Sequence, residues 1–200
     1  MKIAICGASG TGKTTLAKEL EKAVKELVFV STSAKEVWPK YGLDKHTDPH
    51  EMPIDVFRDY QNDILSRRKE VLSKHDSYIT DRSPVDNIVY YLQGVAMREN
   101  SGISKLYIDK IEEQLKNLDL IIFLPLTQSI ILEDDGKRVQ NWYYQCMINS
   151  MFMNMLSNPG LWSLDPNIFV RTPVIWNTER DLGVKVRQVT EEIIRRFYHE

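Results

Sequence analysis

The chain has 200 residues, 42% apolar and 27% charged, the balance of a globular protein able to bury one sizeable core. A net charge of −2 argues against a protein that coats DNA or an anionic membrane, while leaving room for a local basic groove. Cys6 and Cys146 stand far apart without CxxC spacing, so a disulfide framework is not expected and a reducing cytoplasm is.

The first residues, MKIAICGAS, lack the apolar run of a signal peptide, and no window reaches the length of a transmembrane helix. KIAIC, 2–6, reads as a buried strand ending at Gly7. Residues 13–26 place Leu16, Ala17, Leu20, Ala23 and Val24 on one face, which predicts an amphipathic helix. LVFV, 27–30, predicts a second strand, followed by the hydroxyl run Ser31-Thr32-Ser33. Residues 34–51 are irregular and read as a loop with one short helix. Residues 54–74 form a long helix with Ile54, Phe57, Ile64, Leu65, Val71 and Leu72 inward.

SYIT, 77–80, is the third expected strand, and Pro84 suits the first turn of a helix over 84–93. A helix over 106–118 precedes DLIIFLPL, 119–126, the strongest buried-strand signal in the chain. EDDGKR, 133–138, leads into a Met- and aromatic-rich helix that reads mainly as core, with a share of its face available to a homodimer. A loop spans 158–167, VIW at 174–176 is the last strand, and 183–198 is a closing amphipathic helix. Strands alternating with helices predict one α/β domain over 1–200, its parallel sheet covered on both faces.

The stretch from Gly7 to Thr15, GASGTGKTT, fits GxxxxGK[ST] between a strand and a helix. Its glycines let successive N–H groups turn into one concavity, and the helix N-terminus adds its dipole. Gly7, Ser9, Gly10, Thr11, Gly12, Lys13, Thr14 and Thr15 are therefore the expected ATP-binding residues. Lys13 reaches toward the β- and γ-phosphates, and the Thr14 hydroxyl suits Mg²⁺.

No acidic pair stands at the tip of LIIFLPL, as a motor would carry, and VIWNTERD lacks a GTPase base-reading motif. Two further sites fit transfer to a bound acceptor. Asp81 and Arg82 follow a strand end, where a carboxylate can organise Mg²⁺ or take a proton and a guanidinium can grip an anion. Lys137 and Arg138 follow the fourth strand, where a lid over about 128–145 would supply a charge-neutralising cation, with Arg138 preferred for its planar fork.

The order and spacing of GASGTGKTT, TDRSP and EDDGKR resemble the P-loop nucleoside and nucleotide kinases, most closely the small AAA_28-type kinase-like proteins. The resemblance implies a P-loop NTPase fold with a five-stranded parallel sheet in the order 2-3-1-4-5 and a helical lid, ATP with Mg²⁺, and a nucleoside or nucleoside monophosphate as acceptor. Asp81-Arg82-Ser83 matches the acidic-Arg-Ser motif of deoxynucleoside kinases. The Glu-Pro-Val stretch of those enzymes is replaced by Ser31-Thr32-Ser33, which leaves the base open between Asp81 and Glu36. On the long helix the resemblance makes Gln61 a base reader, with Phe57 and Tyr60 available for stacking. Arg58, Arg67 and Arg68 have the charge to approach an acceptor phosphate, but a solvated face is the preferred reading for them. His46, His50, His75 and His199 have no ligand-like spacing, so no protein metal site is expected from them. A kinase acting on a modified base in DNA and a non-catalytic ATP-binding regulator remain the alternatives.

Overall fold

A computed structural model describes residues 1–44, 49–96, 103–127 and 141–198. Among these, four strands form one parallel sheet: β1 (Lys2–Cys6), β2 (Tyr78–Thr80), β3 (Leu120–Phe123) and β4 (Val174–Trp176), in the order β2-β1-β3-β4. Lys2 stands opposite Tyr78, Ile3 opposite Leu120 and Ile121 opposite Val174.

The sheet thus differs from the expected five strands. Residues 27–30 contribute a single parallel bridge, Phe29 with Ile79, flanked by Val30 N–H to Ile79 O and Ile79 N–H to Val28 O. The Phe29 N–H goes to Glu21 Oε1, and the following hydroxyls turn the chain, with Ser33 capping a 3₁₀ helix over Ala34–Tyr41. β3 is also shorter than the apolar run that predicts it. Leu124 N–H still bonds Cys6 O, but Pro125 has no N–H to extend the ladder.

Among the described residues seven α-helices surround the sheet: α1 (Lys13–Ala23), α2 (Ile54–Leu72), α3 (Pro84–Tyr91), α4 (Lys105–Lys116), α5 (Trp142–Ser157), α6 (Ile168–Arg171) and α7 (Leu182–Phe197). Alternate residues of β1 point to opposite faces, as strand geometry requires. Ile3 and Ile5, with Leu120 and Ile122, pack on Leu16 and Leu20 of α1 and Val189 and Ile193 of α7. Ala4 and Cys6, with Ile121 and Phe123, pack on the larger layer of α2, α3, α4 and α5. The result is helix, sheet, helix, with β2 and β3 buried and β4 at the edge only half-buried.

Two features of the larger layer shape the cleft above the strand ends. Ser83 and Asp86 form a reciprocal capping box at the start of α3, with Pro84 in its first turn. At its far end α3 runs into a π-helical turn, Leu92–Ala96, whose Gly94 lies against Phe57 of α2. A Cβ on Gly94 would sit 2.3 Å from the Phe57 ring. No helix of the described residues is long and apolar enough to cross a membrane.

Candidate active site

The phosphate-loop sequence emerges from β1 and closes on α1. Gly7 has φ 141°, and a Cβ there would lie 2.4 Å from the Leu124 carbonyl oxygen, so only glycine lets the loop pass the end of β3. The Thr11 hydroxyl donates to Ala8 O (3.0 Å) and ties the loop internally. Gly12 is the N-cap of α1 and no side chain caps it, which leaves the helix N-terminus to a ligand. Lys13 folds back over the loop, its Nζ donating to Gly7 O (2.8 Å) and Ala8 O (2.6 Å). Burial, and then the charge of Arg82, push the Lys13 pKa down to about 7.

β2 ends at Thr80, and Asp81 follows at the mouth of the loop. Thr14 Oγ1 donates to Asp81 Oδ2 over 2.6 Å. The other carboxylate oxygen, Oδ1, is buried with no hydrogen-bond partner. An orphaned carboxylate oxygen beside a threonine hydroxyl is a hard-oxygen pair that suits a small divalent cation sharing its remaining positions with phosphate and water. No group of three or more His, Cys, Asp or Glu side chains is placed to hold a metal among the described residues.

Arg82 is fixed by the start of α3. Its Nη1 donates to Asp86 Oδ1 (3.0 Å), and its guanidinium lies 5.9 Å from the Tyr90 ring centre. Burial alone would lower its pKa, but Tyr90 and Asp86 outweigh it and hold the group above its ordinary value. Asp86 also accepts from Ser83 N–H (2.8 Å) and the Ser83 hydroxyl (3.0 Å). One carboxylate therefore caps the helix and aims the arginine.

A cleft of about 680 Å³ runs from the loop to the inner face of α2. Ser9, Gly10, Gly12, Lys13, Thr14, Thr15, Asp81 and Arg82 line one end, and Phe57, Tyr60, Gln61 and Arg68 line the other. Phe57 is fully buried and Gln61 nearly so. Trp38 of the 3₁₀ helix donates its indole N–H to the Tyr60 hydroxyl over 3.1 Å, closing that wall.

Gly7, Thr11 and Glu36 do not line the cleft. Glu36 lies behind the wall, 3.5 Å from Arg67 Nε. Arg138 and Lys137, and with them most of the expected lid, lie outside the described residues, as do His46 and His199.

Arg68 corrects the sequence reading. It is 3% exposed, not solvated, and its Nη1 donates to Ser83 O (2.9 Å) and to Asn87 Oδ1. Arg58 and Arg67 do reach solvent, paired with Asp55 and Glu70. The signal was in the helical period. Arg68 lies four residues after Ile64 and seven after Gln61, on the inward stripe. Asp86 and Asn87 were also missed, hidden inside what read as a helix start.

A parallel α/β sheet with this loop at its carboxyl end is the fold of the P-loop kinases. The family model AAA_28, an AAA domain, matches residues 2–161, and the chain belongs to that family. No curated protein matches at a significant level. Among solved structures, NadR in complex with NAD and AMP-PNP superposes with TM-score 0.64 at 15% identity, over 99% of this chain and 49% of that one. The chain thus spans about half the length of NadR. Deoxyadenosine kinase from M. mycoides with bound dCTP superposes with TM-score 0.61 at 15% identity, over 98% of this chain and 100% of that one. Thymidylate kinase from Candida albicans superposes with TM-score 0.55 at 18% identity, over 96% and 90%. At these identities the likeness is one of fold.

Proposed function

We propose that the chain is an ATP- and Mg²⁺-dependent kinase that transfers the γ-phosphate to a (deoxy)nucleoside or its monophosphate. The observation that carries this reading is a cleft in which the phosphate loop and the α2 wall meet across the Thr14–Asp81 contact. A timing switch or a motor needs no second wall of buried polar side chains facing its phosphate site.

In this reading Lys13 leaves Gly7 O and Ala8 O to meet the β- and γ-phosphates, and the α1 N-terminus receives phosphate oxygens. Thr14 and Asp81 hold Mg²⁺, which offsets phosphate charge when bound. Arg82, aimed by Asp86, contacts the phosphate being transferred, and Arg138 adds a second cation from a lid. Gln61 offers its amide to an acceptor base beside Tyr60 and Phe57. The position of Glu36 behind the wall favours Asp81 as the carboxylate nearest the reaction.

The fold of the neighbours and the slightly acidic composition support a small-molecule acceptor over DNA. The test is product analysis with γ-labelled ATP and a panel of nucleosides, nucleoside monophosphates and base-modified duplex DNA. Label in a small molecule supports the proposal. Label only in DNA, with a rate that falls steeply as salt rises, would replace the acceptor class.

A further inference from the structure

Arg68 is a buried cation of the α2 wall of the cleft that no carboxylate contacts among the described residues. It makes no ion pair within 4 Å among the described residues, and its Nη1 rests on two neutral oxygens, Ser83 O and Asn87 Oδ1. Its Nε is buried and has no hydrogen-bond partner. Asp86 and Asp81 attract it from a distance and Arg82 repels it, but burial dominates and draws its pKa down to about 10. A buried guanidinium left in that state costs stability unless something brings it an anion.

The carboxylates of the cleft cannot serve. Among the described residues those that line it are Asp81 and Asp86. Asp86 is engaged by Ser83 N–H, the Ser83 hydroxyl and Arg82. Asp81 is engaged by Thr14 at the loop. Among the described residues the wall formed by Arg68 therefore has a cation to spare, and the unpartnered carboxylate oxygen of the cleft, Asp81 Oδ1, is the one the kinase reading assigns to Mg²⁺ rather than to a proton from a sugar hydroxyl.

We infer that the acceptor is a phosphate monoester, a nucleoside monophosphate rather than a neutral nucleoside, and that its phosphate docks on Arg68. The inference rests on the kinase reading and narrows it. An acceptor of this kind resolves both observations. Its phosphate supplies the missing counter-charge, accepting from the unpartnered Nε of the guanidinium. It also needs no general base, because a phosphate monoester is mostly dianionic at neutral pH. One of its oxygens forms the bond to the γ-phosphorus of ATP as the bond to the terminal oxygen of ADP breaks. No proton has to leave. The product is a nucleoside diphosphate.

The test is calorimetric binding to the whole chain saturated with AMP-PNP and Mg²⁺, so that the phosphate loop is occupied. The probes are the common ribo- and deoxynucleoside 5′-monophosphates and their parent nucleosides. At least one monophosphate is expected to bind roughly thirtyfold or more tightly than its nucleoside, the scale of a buried hydrogen-bonded charge pair. Arg68→Met should abolish that advantage, and Arg68→Lys should restore part of it, with AMP-PNP affinity unchanged in both. If Arg68→Met does not fold, the wild-type ratio and Arg68→Lys decide. Nucleosides binding as tightly as monophosphates, no monophosphate binding, or an advantage that survives Arg68→Met would each overturn the inference. Arg68-dependent binding without label transfer would sink the kinase reading and leave this site standing. Transfer to neutral nucleosides alone would do the reverse.

Discussion

Thr14 Oγ1 and Asp81 Oδ2 lie 2.6 Å apart, joining the first turn of α1 to the end of β2 across 67 residues of sequence. The contact places a hydroxyl from the phosphate loop on a carboxylate from the neighbouring strand, with the second carboxylate oxygen unsatisfied. Asp81→Asn keeps the shape and removes the charge. Turnover is expected to fall by about a hundredfold or more, with affinity for metal-free ATP little changed. Steady-state rates across a Mg²⁺ titration check this. A mutant with a wild-type rate and Mg²⁺ dependence would remove Asp81 from the metal site.

Lys13 gives a pH signature. Its pKa in the free protein is pushed down to about 7, whereas the ordinary value is 10.5. A bound triphosphate favours the ammonium form, so ATP binding above pH 7 should take up a proton and weaken as pH rises. The same shift acts on folding. The unfolded chain keeps that proton up to about 10.5, so this group makes the free protein more stable as pH rises from 7 toward 10.5. Calorimetry in two buffers of different ionisation enthalpy measures the uptake. Proton uptake near zero at pH 8 in the wild type, or uptake unchanged in Lys13→Met, would contradict the assignment.

Asp86 carries two tasks through three hydrogen bonds, capping α3 and holding Arg82. Asp86→Ala should destabilise the fold by about 1–3 kcal/mol, combining a lost cap with unpaired buried donors. Ser83→Ala removes the cap and the hydroxyl's bond to Asp86 but leaves the Arg82 contact, and should cost about 1 kcal/mol. Urea unfolding distinguishes them. Equal losses in the two mutants would mean that the Arg82 contact contributes nothing to stability.

Much of this architecture is legible in the sequence because apolar period and glycine spacing are local signals. KIAIC, VIW and the long inward face of α2 fall where their patterns put them. LVFV does not, because whether an apolar tetrapeptide completes a ladder depends on its neighbour, and Val28 is left 46% exposed at the sheet edge. DLIIFLPL overstates its strand for a reason that is visible in it, the proline. The loop and the Asp81-Arg82 pair were found by motif. Arg68 was not, because a charged residue on an amphipathic helix is ordinarily solvated, and only the packing of α3 against α2 buries it.

Gly94 holds a place that no alanine fits. A Cβ there would meet two Phe57 ring atoms at 2.3 Å. Gly94→Ala should cost about 1–3 kcal/mol by overpacking and should weaken acceptor binding by displacing the ring from the cleft wall. In a Phe57→Ala background the penalty should vanish, as coupling between touching residues requires. A double-mutant cycle of thermal stabilities checks this, and additive effects would show that the ring yields without cost.

The most direct measurement is the fate of the label in γ-labelled ATP under single-turnover conditions, with nucleoside monophosphates present and the chain in excess. The account predicts that label leaves ATP only when an acceptor is supplied, appears in a nucleoside diphosphate in equal amount to ADP, and stays in ATP with Lys13→Ala. Label released as inorganic phosphate at the same rate with or without acceptor would contradict a kinase, and so would ATP that binds and is never turned over.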